Sequence, residues 1–372
     1  MMGKTMHYLA FGVWLLCSVA AHGLDVGQGL EVAHGLEVAP DDDAISYRGR
    51  IDFSDPKAPV LSWPATRVDV NFYGRSVAVT LDDELGKNFY SAFIDGDWSR
   101  PVILGLHKGE HRYRVADNLE NTRHTLTLVK RTEGEEGATR LMGLSFNKGA
   151  KLLPAGKLPE RRIEIYGDSI TSGMGNMAPL KGEDGRLLDK NSFMSYGAIT
   201  ARALDADYRS ISQSGIGIMV SWFDFTMPDF YDQLNAVGDN DSEWDFSRWT
   251  PQVVVINLFQ NDSWLVGDRL DPVPGDAERV KAYYDFIDTI HRRYPEALLV
   301  GALGSMDATQ EGSPWPGYIT TAVAEYRRDH PKAKLATLFF PFTGYGQHPR
   351  VEHNRANAAR LTTFIREQMN WQ

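Results

Sequence analysis

Two hydrophobic patterns divide the chain. From Ile45 to about Lys148, apolar and polar residues alternate in short runs. In "TRVDVNFYGRSVAVTLDD" the apolar positions are Val68, Val70 and Phe72, then Val77, Val79 and Leu81. "NFYSAFIDGDW" and "HTLTLVKRTEG" alternate in the same way, with Gly, Asp and Asn turns between runs. A period of two gives each strand one core face and one wet face, so residues 45–148 are predicted to form a β-sandwich. After Arg162 the pattern changes. "IEIYGDS", "YRSISQSG", "QVVVINLFQND" and "EALLVGALG" each read as a strand buried on both faces. Helical spacing appears from Ser195 to Asp207, Ala277 to Pro295 and Trp315 to Pro331. Strands alternating with helices predict an α/β domain over residues 162–372, its parallel sheet covered on both sides. Residues 149–161, with Pro154 and Pro159, are expected to be a linker.

The N-terminus reads differently. Lys4 precedes an apolar run from Tyr8 to Leu16, and small residues close it from Ser18 to Ala21. That is the pattern of a secretory signal peptide over residues 1–22, cut between Ala20 and Gly23, and it is short for a spanning helix. The alternative is an N-terminal membrane anchor. A six-residue unit then repeats about three times from Gly23 to Pro40, followed by Asp41 to Asp43, and residues 23–44 read as a low-complexity leader. The single cysteine, Cys17, lies inside the signal run, so a mature exported chain holds no disulfide framework. The bulky Leu15 and Leu16 before it argue against a lipoprotein. The expected location is therefore the periplasm or the medium, with no membrane insertion after cleavage.

Charge narrows the partners. With 372 residues and a net charge of -10, the chain offers no strong positive field for nucleic acid or an anionic membrane. No Gly-rich phosphate loop is present, and no cofactor is suggested.

In a doubly wound sheet, reactive groups gather beyond the carboxyl ends of the strands. Four such ends carry candidates. Ser169 follows Gly167 and Asp168; a serine there can attack a carbonyl while its own N–H helps hold the oxyanion, though it can equally be a helix N-cap. Gly215 follows a strand, where a glycine lets backbone N–H approach a ligand, or simply turns the chain. Asn261 follows the third strand, and its amide can donate to an oxyanion or form an Asx turn. Asn240 and Asn261 also begin glycosylation sequons. The fourth is His348, before Pro349. A metal reading would join it to His353 and Glu352, but that spacing repeats no zinc pattern and no further ligand stands out, so no metal is assigned.

Together, Gly-Asp-Ser, Gly, Asn-Asp and His-Pro in this order resemble the SGNH, or GDSL-type, hydrolase superfamily from Arg162 to the C-terminus. The resemblance implies Ser169 as nucleophile, His348 as base, and an oxyanion hole from Ser169 N–H, Gly215 N–H and the Asn261 side chain. "YRGRIDFSDPKAPVLSWPATRVDVNFYGRSVAVTL", through Gly49-Arg50, Asp55-Pro56 and Trp63, looks like the opening of carbohydrate esterase family 2. That likeness implies a jelly-roll sandwich before the hydrolase domain, and deacetylation of plant polysaccharides such as xylan and glucomannan. The superfamily's usual acid stands three residues before the histidine. Here that position is Tyr345. Some members of the family look like a Ser-His dyad with a main-chain carbonyl orienting the ring, so a dyad is expected; Asp262, Asp307 and Glu352 are the carboxylates that would overturn it. Trp264, and less strongly Trp222 and Trp315, are candidate sugar platforms, core packing being the alternative. The expected function is an exported serine esterase. The alternatives are an esterase or lipase for another acyl ester, and a carbohydrate-binding protein without activity.

Overall fold

Alternation in the first half of the sequence becomes two antiparallel sheets. The computed structural model describes residues 35–180, 182–237 and 242–372. The expected signal peptide lies outside the described residues. The strands are β1 (Leu36–Val38), β2 (Ile45–Arg48), β3 (Val60–Leu61), β4 (Arg67–Gly74), β5 (Val77–Asp83), β6 (Phe89–Ile94), β7 (Val102–Gly105), β8 (Gly109–Ala116), β9 (Thr122–Lys130), β10 (Thr139–Phe146) and β11 (Lys151–Leu153). One sheet runs β1-β10-β5-β8 with β3 on β10, the other β11-β4-β9-β6-β7 with β2 on β4. Val68, Val70 and Phe72 of one sheet and Val77, Val79 and Leu81 of the other share one apolar core, as their spacing predicts.

The sandwich is larger than residues 45–148. Leu36–Val38, expected in the leader, pairs with β10, because Leu36 and Val38 reach the core on alternate positions. Lys151–Leu153, expected in the linker, pairs with β4 and packs Leu152 on the same core.

The second half is a parallel sheet of β12 (Arg161–Gly167), β13 (Ala206–Ser212), β14 (Val253–Asn257), β15 (Leu298–Leu303) and β16 (Lys334–Phe339), in the order β13-β12-β14-β15-β16. Its helices are α1 (Ser169–Ser172), α2 (Tyr196–Ala203), α3 (Met227–Phe230), α4 (Gln260–Arg269), α5 (Asp276–Arg293), α6 (Trp315–Asp329) and α7 (Val351–Met369). Alternate strand residues serve opposite faces. Ile163, Ile165, Val253 and Val255 join the core under α2 and α7; Tyr166, Val254 and Ile256 join the one under α5 and α6. The sheet order reverses beside β12, and a ligand crevice is expected at such a switch point. In register, Gly167 stands opposite both Ser212 and Asn257, so three strands end at one level there.

Candidate functional site

The chain must turn sharply where β12 enters α1. A Cβ at Gly167 would lie 2.0 Å from Thr171 Oγ1, so only glycine fits. Asp168, not Ser169, caps the helix: its Oδ1 accepts from Ile170 N–H at 2.9 Å. Burial pushes its carboxyl up to about 7. Relieved of capping, Ser169 is the first helical residue, 5% exposed.

His348 arrives on the loop between β16 and α7. Its Nε2 is 2.8 Å from Ser169 Oγ. The missing acid comes from an unexpected place, the loop between α1 and α2. Asp184 Oδ2 lies 3.0 Å from His348 Nδ1 and accepts His348 N–H at 2.7 Å. The expected main-chain carbonyl is therefore corrected: a carboxylate faces Nδ1. Tyr345 cannot serve, since its hydroxyl turns to His353 Nδ1 at 3.2 Å. None of the three carboxylates singled out in the sequence takes the role either. Asp262 binds backbone N–H groups, Asp307 binds Gln260 and Trp264, and Glu352 is exposed on the first turn of α7. Burial raises the Asp184 carboxyl, but the hydrogen bonds from His348, its charge and Arg350 outweigh it and hold the group well below the usual carboxylate range. An ionised carboxylate only accepts, so Nδ1 carries the proton and Nε2 is left basic toward the serine.

Arg350 holds the Asp184 loop. Its guanidinium donates to the carbonyls of Gly175 (2.8 Å), Pro179 (3.0 Å), His348 (3.1 Å) and Gly182, and to Asp184 Oδ2 at 3.3 Å. Nothing in the local pattern of "KGEDGR" marks Asp184. The basic residue after His348-Pro349 is the nearest signal that a distant loop is anchored there.

Beyond β13, Gly215 adopts φ +86°, the left-handed region that favours glycine. The N–H groups of Ser169 and Gly215 have no acceptor among the described residues. Asn261 sits in the first turn of α4, after Phe259 at φ +95°, a strained backbone held by packing on Tyr283 and Trp315. Its Oδ1 accepts from Trp222 Nε1 at 3.2 Å and its Nδ2 donates to Ile216 O at 2.9 Å. The amide orientation is thus fixed, with one N–H left over. Asn261 is 2% exposed, which removes it as a glycan acceptor. Buried Asp262, its carboxyl pushed up to about 6 by burial, accepts from the N–H groups of Ile218, Met219 and Val220 and pins the Gly215 loop to α4.

The tryptophans separate. Trp222 is 53% exposed, with Arg269 5.0 Å from its ring. Trp264 is 36% exposed, and its Nε1 donates to both oxygens of Asp307 at 3.0 and 2.9 Å. Trp315 is 6% exposed and packs on Phe259 and Tyr318, so the sugar-platform expectation for it is corrected to core. The metal pairing also dissolves: the His348 ring nitrogens face Ser169 and Asp184, and His353 faces Tyr345 and the Arg350 N–H.

A hydroxyl beside a base with a fixed tautomer can carry out acyl transfer. The comparisons agree with that chemistry. Residues 47–155 match the model of the carbohydrate esterase 2 N-terminal family. The chain is 35% identical over 344 residues to the cellulase/esterase CelE of Acetivibrio thermocellus, covering 89% of this chain but only 40% of that protein's length. It is 25% identical over 341 residues to an acetylxylan esterase / glucomannan deacetylase of Cellvibrio japonicus, covering 90% of this chain and 91% of the relative. A solved family two carbohydrate esterase from Clostridium thermocellum, in complex with cellohexaose, superposes with a TM-score of 0.80 at 33% identity, over 88% of this chain and 100% of that one.

Proposed function

The chain belongs to carbohydrate esterase family 2, and from that membership and the geometry of Ser169, His348 and Asp184 we propose that it is an exported serine esterase. It removes O-acetyl groups from plant polysaccharide of the xylan and glucomannan kind. The observation that carries the reading is Ser169 Oγ at 2.8 Å from a histidine whose other nitrogen meets a carboxylate. Relatives named acetylxylan esterase and glucomannan deacetylase support the substrate class.

Ser169 attacks the acetyl carbonyl as His348 Nε2 takes its proton. Asp184 stabilises the imidazolium that results. The oxyanion is met by the N–H groups of Ser169 and Gly215 and the free N–H of Asn261. The intermediate collapses, His348 protonates the departing sugar oxygen, and an acetyl-serine remains. Water, deprotonated by His348, then releases acetate. Trp222 and Trp264 present aromatic surface beside Asn261 on which a pyranose ring can stack. Residues 1–22 direct export and are removed. Among the described residues no helix is long and apolar enough to cross a membrane.

The test is acetate release from acetylated xylan and glucomannan by the wild type beside Ser169→Ala. Release by the wild type alone is expected. Cleavage of an aryl acetate but of neither polymer would move the substrate to another acyl ester, and silence on all three from a folded chain would leave a carbohydrate-binding protein. The N-terminal residue of the secreted protein tests export; it is expected between Ala21 and Leu24.

A further inference from the structure

The loop between β9 and β10 leaves the sandwich and enters the hydrolase domain. It carries Glu133, fully buried, with no place in the triad. Oε2 of Glu133 accepts from Ser214 N–H at 2.6 Å, and Oε1 from Ser214 Oγ at 2.5 Å. Oε1 also accepts from Lys190 Nζ at 2.8 Å. Burial opposes the charge, but Lys190 and the serine hydrogen bonds prevail and hold the carboxyl below its ordinary range. Ser214 immediately precedes Gly215, and two bonds to one residue fix both its position and its orientation. The Gly215 N–H then depends on little more than the Ser214 ψ angle.

The same group reaches the other side of the centre. Lys190 ends the segment that carries Asp184, and Glu136 is its second carboxylate partner, at 2.5 Å. Around it, Arg131 donates to the carbonyls of Lys190 (3.1 Å) and Leu188 (2.8 Å). Asn191 N–H donates to Gly173 O at 3.0 Å, and Met177 N–H to Asp189 O at 3.0 Å, closing the base of that loop.

We infer that Glu133, a residue of the sandwich, is a positioning residue for the esterase centre: it clamps the Ser214–Gly215 turn that presents a backbone N–H to the oxyanion. The inference rests on the esterase reading above. It makes the sandwich part of the catalytic apparatus and not only a neighbour of it.

The experiment compares full-length wild type, Glu133→Gln, Glu133→Asp and Ser214→Ala. Glu133→Gln keeps the volume but turns an amide NH₂ toward groups that donate. Loss of one oxyanion donor costs about 100- to 1000-fold in kcat, so a displaced donor is expected to cost about 10- to 100-fold. KM for an aryl acetate should change less than about threefold, and the shape of the pH profile should hold, because the Ser-His-Asp contacts are untouched. An alkyl boronic acid supplies the readout that a purely structural role would not move. The serine oxygen adds to boron as its proton passes to His348, giving a tetrahedral adduct, and its affinity should fall in step with kcat. Glu133→Asp, which restores the charge, should regain part of both. Unchanged kcat per folded molecule overturns the inference, and so does a fall in kcat that the boronate does not follow. Should Glu133→Gln fail to fold, Ser214→Ala decides: it removes one of the two bonds and is expected to lower kcat and boronate affinity together by several-fold, and no change overturns the inference. A wild type that cleaves no acetyl ester refutes the esterase reading and this inference with it. An active wild type beside an equally active Glu133→Gln refutes this inference alone.

Discussion

Asp184 invites a comparison of two substitutions, because three donors converge on a single oxygen. Oδ2 accepts from His348 N–H at 2.7 Å, from His348 Nδ1 at 3.0 Å and from Arg350 Nη1 at 3.3 Å. In Asp184→Asn the amide oxygen will occupy that place, since an NH₂ there would face three donors. The amide then keeps the tautomer of His348 and forfeits only the charge. At about 4 Å a unit charge is worth about 4 kcal/mol near a protein surface and about 1 in water. The Asp184 side chain is 19% exposed, so about 2 kcal/mol is expected, or roughly 30-fold in kcat at 1.4 kcal/mol per decade. Asp184→Ala removes the acceptor as well. The ring is then free to turn or to take the other tautomer, and a loss of about 10⁴-fold, as for a triad acid whose tautomer control fails, is expected. The assay is kcat for acetate release from acetylated xylan, with Tm recorded to exclude unfolding. Asp184→Ala within about tenfold of wild type would refute the assignment and return the ring to some other acceptor. Equal losses in the two variants would refute the tautomer argument.

Two further outcomes follow from contacts one step away. Trp222→Phe keeps an aromatic face but deletes the N–H that fixes Asn261 Oδ1 at 3.2 Å; kcat should fall about tenfold at constant KM, as a freed amide points at the oxyanion only part of the time, and unchanged kcat would sink the claim that Trp222 orients Asn261. Asp168, raised from 3.8 to about 7 by burial, gives a stability slope. Below about pH 4 it is protonated in both states and its contribution is complete; between about pH 4 and 7 the unfolded chain ionises while the folded one keeps its proton, so stability is lost, by up to about 4 kcal/mol. Asp168→Asn should remove that slope, and parallel urea stabilities of wild type and variant from pH 4.5 to 7.5 would contradict it; Asp262, whose charge is one cause of the rise at Asp168, adds a slope of the same sign in both proteins.

The parts of the centre that the sequence disclosed share one property: each lies within a few residues of a strongly marked buried strand or stands beside a proline near the C-terminus. Ser169 follows β12, Gly215 follows β13, and Asn261 follows β14. The apolar run of β14 is hard to confuse, and a sheet order that reverses beside β12 brings the ends of the three strands to one level. Of the domain's elements, α3, α4, β16 and α7 stayed unread. β16 is only half-buried along most of its length, so "KLATLF" carries no clean period, and α7, though amphipathic, follows it without a turn signal other than the His-Pro loop. The leader and linker boundaries erred for a related reason. Strands of three residues, Leu36–Val38 and Lys151–Leu153, are too short to show a period and exist only because partners already in the sandwich accept them.

Asp184 and Glu133 were hidden for a stronger reason. Each acts through one or two oxygen atoms delivered by a loop, and a loop's course is fixed by bonds that its own sequence does not contain. Arg350 shows how such information is distributed. It follows His348 by two residues, yet four of its five acceptors lie in the stretch from Gly175 to Asp184. Two of those carbonyls already close turns within the loop, Gly175 O accepting from Ala178 N–H at 3.1 Å and Pro179 O from Gly182 N–H at 2.9 Å, and the guanidinium adds a second donor that ties the turns to one another. The loop therefore folds around an arginine supplied from the other end of the chain, and in doing so brings its carboxylate to the histidine beside that arginine. An acid three residues before His348 would need no such clamp, since the local backbone would place it. Once Tyr345 occupies that position and turns to His353, the acid must come from elsewhere. A planar group that can gather several carbonyls at once is what makes a distant carboxylate dependable.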